Sequence, residues 1–272
     1  MMTGLASRLL AVCAFSLTLG GCATTMPYGE EGRSADGAER PMLDRSPASQ
    51  SEARAKINVE LGTAYLEVGR FDIALDEARA ALEHQAGYPP AFHLMGLVHM
   101  YVGDDNAARI NFERALRGAP RDPDFNNSYG WFLCGTGNEQ EGLQRLAVAA
   151  RNPYYRHPTR AHANAGLCNL RIGERDAARE HFARAVNADP SNVQALYHLA
   201  EIDYERGNYP AARTSLVRLH QQVEPTAASA WLGLRTERKL GNREAEASYA
   251  EQLRGRFGDS AEVQLLRQGA FE

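Results

Sequence analysis

The stretch NNSYGWFLCGTGN, Asn126 to Asn138, crowds a tryptophan, a cysteine and a G-x-G pair into thirteen residues. Three readings compete: a catalytic centre, a phosphate loop, or one copy of a repeated unit. A phosphate loop should follow a strand and open a helix with Lys. Neither flanks Gly135–Gly137, so the question passes to the rest of the chain.

The same glycine recurs. Gly137 belongs to a column with Gly69, Gly103, Gly173, Gly207 and Gly241, at steps of 34, 34, 36, 34 and 34 residues. Seven residues upstream a second column holds Gly62, Gly96, Gly130, Gly166 and Ala200. Five residues downstream a third holds Ala74, Ala108, Gly142, Ala178 and Ala212, then Glu246. A 34-residue period is the tetratricopeptide signature, two antiparallel helices per repeat. The small residue on each first helix lets the second approach closely. The turn glycine supplies the left-handed residue that ends many helices. Tyr65, Phe71, Phe112, Leu146, Phe182, Tyr209 and Leu216 fill the space beside the small positions, and Pro120, Pro190 and Pro225 mark the ends of second helices. The reading is an all-α, right-handed α-solenoid of six repeats, 55–88, 89–122, 123–158, 159–192, 193–226 and 227–260, within a domain spanning 52–272. The sixth is degenerate, with Leu234 and Glu246 at small positions, as terminal repeats often are. SAEVQLLRQ, after Asp259, is expected to form a capping helix.

Ahead of the repeats, Arg8 precedes an apolar run, Leu9 to Leu19, too short to span a bilayer but suited to a signal peptide. It ends in LGGC, Leu19 to Cys22, which resembles the bacterial lipobox. Residues 1–21 then read as a lipoprotein signal and Cys22 as the acylated first residue. The alternative is a plain secretory signal in which Cys22 is incidental. Ala23 follows the cysteine where an inner-membrane lipoprotein of known families would carry aspartate, so the expected destination is the outer membrane. Residues 22–51, rich in Pro, Gly and charge and without period, read as a flexible tether.

Besides the acylated Cys22, processing would leave two cysteines, Cys134 and Cys168, on the first helices of repeats 3 and 4. Disulfides persist in oxidising compartments, and a bridge needs Cα atoms about 4.4–6.8 Å apart. Adjacent first helices can meet that distance where they pack closely. A bridge is expected, worth about 3–4 kcal/mol on the chain-entropy model. The alternative is two buried thiols acting as small hydrophobes.

No enzyme is read in this chain. CxxC, HExxH and GxSxG are absent, and the eight histidines share no ligand spacing. No cofactor, metal or small-molecule substrate is expected. With 30 basic and 34 acidic residues and a net charge of −4, there is no nucleic-acid footprint. What stacked helix pairs offer is a concave groove lined by their first helices. The expected lining is Val59, Thr63, His93, Leu97, Met100, Asn127, Trp131, Ala163, Leu167, Leu170, Tyr197 and Tyr204. If the register were shifted, Leu97, Met100, Leu167 and Leu170 would instead be core.

Lipobox, polar tether and six repeats together resemble the type IV pilus biogenesis lipoproteins of the PilF/PilW family, the pilotins of the pilus secretin. NNSYGWFLC is similar to that family's NNYGxFLC-like segment, with Ser128 a departure. PYYRHPTRAHANAGLCNL, Pro153 to Leu170, resembles its long junction before a GLC-containing helix. SYAEQLRGRFGDSAEVQ resembles its closing repeat, although Gly258 stands where proline is frequent. The resemblance covers about 55–265. It implies a protein anchored at the periplasmic face of the outer membrane that binds the type IV pilus secretin and promotes its localisation and multimerisation. The alternative is an outer-membrane repeat lipoprotein scaffolding other envelope proteins, such as peptidoglycan enzymes.

Overall fold

The computed structural model describes residues 37–271. The signal segment, Cys22 and the first part of the tether lie outside the described residues. Six first helices, α1 (Gln50–Glu67), α3 (Pro89–Val102), α5 (Pro123–Gly135), α7 (Pro158–Arg171), α9 (Val193–Glu205) and α11 (Ala227–Lys239), alternate with six second helices. These are α2 (Phe71–His84), α4 (Asp105–Gly118), α6 (Glu139–Ala150), α8 (Arg175–Ala188), α10 (Tyr209–Gln222) and α12 (Arg243–Arg256), and α13 (Ala261–Gln268) closes the array. None of the described helices is long and apolar enough to cross a membrane. Because directions alternate, the turns within repeats line one edge and the loops between repeats line the other.

The columns act as the spacing requires. All six turn glycines sit at φ between 74° and 80°. At the close-approach column, a Cβ built on Gly96 would lie 2.7 Å from the Phe112 ring, and one on Gly166 would lie 2.6 Å from Phe182. Either ring would be forced out of a fully buried site. Repeat 6 departs from the expected register. Gly233, not Leu234, faces the second helix, with the Tyr249 ring 2.6 Å from its built Cβ. Leu234 is instead fully buried in the terminal core with Trp231, Leu253 and Val263. The capping helix starts at Ser260, whose hydroxyl accepts the Val263 N–H at 3.3 Å.

Between repeats 3 and 4 the connection runs two residues longer, and a bridge spans it. Cys134 on α5 and Cys168 on α7 form a disulfide with Cα atoms 5.5 Å apart, both fully buried beside Leu146 and Ala165.

The tether reading is too long. Residues 37–49 form a strap along the inter-repeat edge. Arg121 donates to the Gly37 carbonyl at 2.7 Å, and Asn152 donates to that of Glu39 at 2.8 Å. The Arg40 guanidinium lies over the Tyr154 ring, and Asp44 pairs with Arg156 at 2.9 Å. Met42, in a short 3-10 turn, packs against the cores of both the first and second repeat junctions. Its N–H donates to Asp122 Oδ2 at 2.7 Å. The other Asp122 oxygen accepts from Asp124 and Phe125 N–H, capping α5. This buried carboxylate therefore holds a helix start and the strap together, although burial pushes its pKa up to about 6. The strap then reaches α1, where Lys56 donates to the Arg45 carbonyl at 3.2 Å.

Asp122→Asn can keep one capping oxygen but turns an amide nitrogen toward the Met42 N–H. Tryptic cleavage after Arg45 should then accelerate by roughly tenfold or more, from losing a charge-assisted bond of about 1.5–3 kcal/mol. Unchanged cleavage there would show that the carboxylate does not hold the strap.

Candidate partner-binding groove

The first helices place the expected lining residues in two groups. Val59, Asn127 and Ala163 are 1%, 4% and 4% exposed. They are set between neighbouring first helices and leave little surface for a partner, so position 5 of the repeat serves the stack more than the groove. Asn127 shows why: its Oδ1 accepts from Asn164 Nδ2 of the next repeat at 3.1 Å. His93, at the same repeat position, lies 2.9 Å from Ser128 Oγ by its Nε2, again one repeat on. Ser128 and Asn164 both occupy position 6, so a position-5 to position-6 polar bond recurs at two successive junctions. Thr63 is partly buried and donates to its own helix at the Val59 carbonyl.

The remaining residues keep an exposed side. Leu97 and Met100 are partly buried against the Phe92–Phe112–Phe125 cluster, and Leu167, Leu170, Tyr197 and Tyr204 against the core of repeats 4 and 5. They belong at once to the groove wall and to the rim of the core. Trp131 is partly exposed and has the Arg171 guanidinium 5.8 Å from its ring centroid. Arg235 lies 4.7 Å above the Tyr204 ring. Between α7 and α9 a cavity of about 310 Å³ is lined by His157, Thr159, Arg160, Ala163, Asn164 and Gln194, among others. The arrangement can grip a peptide through apolar rims, two aromatic–arginine stacks and a polar recess. It assembles no nucleophile–base pair.

Comparison with known proteins fits this geometry. The tetratricopeptide repeat family matches residues 170–235. A type IV pilus assembly protein, PilF of Pseudomonas aeruginosa, is 26% identical over 257 residues, covering 94% of this chain and 96% of that protein. The solved structure of Pseudomonas aeruginosa PilF superposes with a TM-score of 0.76 at 25% identity, over 81% of this chain and all of that one. That of PilW, described as a widely conserved type IV pilus biogenesis factor, superposes at 0.69 with 27% identity, over 80% and 99%. The chain is a tetratricopeptide-repeat homologue of PilF and PilW.

Sequence reasoning missed Ser128, Asn164 and Arg171. The first two were visible as polar residues one place past the position-5 column. Arg171 carries no periodic signal, because its long side chain reaches a ring on another helix.

His93 has one further consequence. Its ring packs at 4.7 Å from Phe125 and 6.0 Å from Phe112, and desolvation there lowers its pKa to about 3. The unfolded chain takes up this proton near pH 6.5 while the folded chain refuses it. Stability from this site is therefore full above about pH 6.5 and falls as pH drops toward 3, by about 1.4 kcal/mol per unit. His93→Gln keeps a partner for Ser128 and removes the titration. Denaturant titrations from pH 7 to 4.5 should show the parent losing stability more steeply than the variant, and parallel curves would refute the assignment.

Proposed function

We propose that this homologue of PilF and PilW is an outer-membrane lipoprotein of type IV pilus biogenesis. It binds the pilus secretin in the periplasm and promotes the secretin's localisation and multimerisation. The observation that carries the reading is the match to PilF over nearly the whole of both chains. Fold alone would not, since stacked repeats serve many partners. The groove supports a protein client, with Trp131 partly exposed beside Arg171 and an apolar rim along repeats 2 to 5. The buried Cys134–Cys168 bridge suits an exported domain. The chain acts as a binding and assembly factor, not as a catalyst.

Deleting the gene should deplete secretin multimers and abolish pilus-dependent motility. Persistent multimers with altered cell shape would favour an envelope scaffold instead. Trp131→Ala is the cleanest groove probe, because Leu97 and Leu167 also support the core. It should weaken secretin binding by about 2 kcal/mol without changing helicity; full affinity would move the client to another surface. Cys22→Ser should release the protein from the outer-membrane fraction, and retention there after a salt wash would refute the lipid anchor.

A further inference from the structure

We infer that the inter-repeat edge of the solenoid is its membrane-facing edge, lying against anionic lipid headgroups. The inference rests on the lipid-anchor reading above and adds an orientation to it. The first observation is where the chain leaves the repeats. A tether running straight out of α1 would hang the domain from one end. The strap instead runs back along the edge, so the first described residue, Gly37, is held by Arg121, with its neighbour Glu39 held by Asn152. Those residues belong to the loops before α5 and α7, near the middle of the array. Whatever its conformation, the chain between Cys22 and Gly37 spans at most about 50 Å. An anchor attached at mid-edge presents that edge to the surface it is anchored in.

The second observation is charge. The chain is net negative, yet this edge is rich in arginine. Arg117 and Arg151 end α4 and α6 and are exposed, with no ion partner among the described residues. Arg121, Arg156 and Arg160 stand beside them, also exposed. The acidic groups around the strap are largely consumed, while Glu83 stays exposed at the end of α2. Glu39 pairs with Arg45, Asp44 with Arg156, and Asp122 is buried. Asp124, partly buried, faces Arg160 and His157. The opposite edge reverses the sign over repeats 2 to 4, where Asp104, Asp105, Glu139, Glu141 and Glu174 start the second helices. Whatever these charges contribute at the helix ends, their summed field turns the arginine edge toward a negative surface. Cations near an anionic leaflet each add to the attraction, and the effect falls off within a Debye length.

The test removes the acyl chain so that only the edge is read. Mature protein carrying Cys22→Ser is mixed at low salt with vesicles of phosphatidylethanolamine and phosphatidylglycerol, or of phosphatidylcholine alone, and floated. Binding should require the anionic lipid and fade with salt. Arg117→Glu with Arg151→Glu should weaken it by about tenfold or more. Arg70→Glu with Arg243→Glu, an equal charge change on the opposite edge, should leave it unaltered. Equal partitioning onto both vesicle types, or equal loss in the control pair, would overturn the orientation. Acylation of Cys22 is read separately from the mass of the processed protein, so either idea can fail without the other.

Discussion

A missing or minimal side chain on each first helix sets the geometry of this molecule. Where Gly96 meets Phe112 and Gly166 meets Phe182, a single added carbon would come within 2.7 Å of a buried ring. Because the contact repeats every 34 residues, successive pairs adopt similar angles and their faces stack into a continuous core. The left-handed turn glycines set the reversal, and the small positions set the distance. Together they turn a linear period into a surface with two edges and a groove, on which every functional feature is placed.

The period breaks once, and the break is held in two ways. A longer loop joins α6 to α7, and nothing in the 34-residue pattern fixes how repeat 4 should sit after it. The Cys134–Cys168 bridge joins the two first helices across that step. The strap joins it on the edge, through Asn152, Tyr154 and Arg156. Stacked arrays owe their stability to neighbour interfaces, so a weak interface would divide the solenoid into halves. Covalent and polar ties at that point keep the wall from Trp131 to Leu167 a single surface.

The repeats were legible because each depends on local residues in register: turn glycines, small positions, aromatic fillers and a serine-capped final helix. The cysteine pair was legible for the same reason, since the repeat frame places Cys134 and Cys168 on neighbouring helices. The strap was not. Its link to the fold is a contact between Met42 and Asp122, eighty residues apart, in a segment whose composition resembles a linker. Composition reports how much surface a segment could bury alone, and Met42 buries its side chain in cores built by other residues. Position 5 also misled, because Val59, Asn127 and Ala163 look outward on a single repeat and become enclosed only when the next one docks. In repeat 6 the eight-residue step from Gly233 to Gly241 hid the small position, since the column elsewhere keeps seven.

The strap and the groove divide the work of an anchored binding protein. Docking residues 37–49 shortens the stretch of chain left between the domain and an anchor at Cys22. It also moves the exit point from the first repeat to the middle of one edge. The groove wall, built from the first helices between the two edges, runs through the same repeats but presents a different side. If the arginine edge faces lipid, as proposed, a client lying along the wall stays close to the bilayer. A flexible tether alone would hold the domain near the surface without favouring any rotation. On the proposed orientation, the contacts of Gly37, Glu39 and Met42 add that rotational preference, and they involve none of the groove's partly exposed aromatic residues.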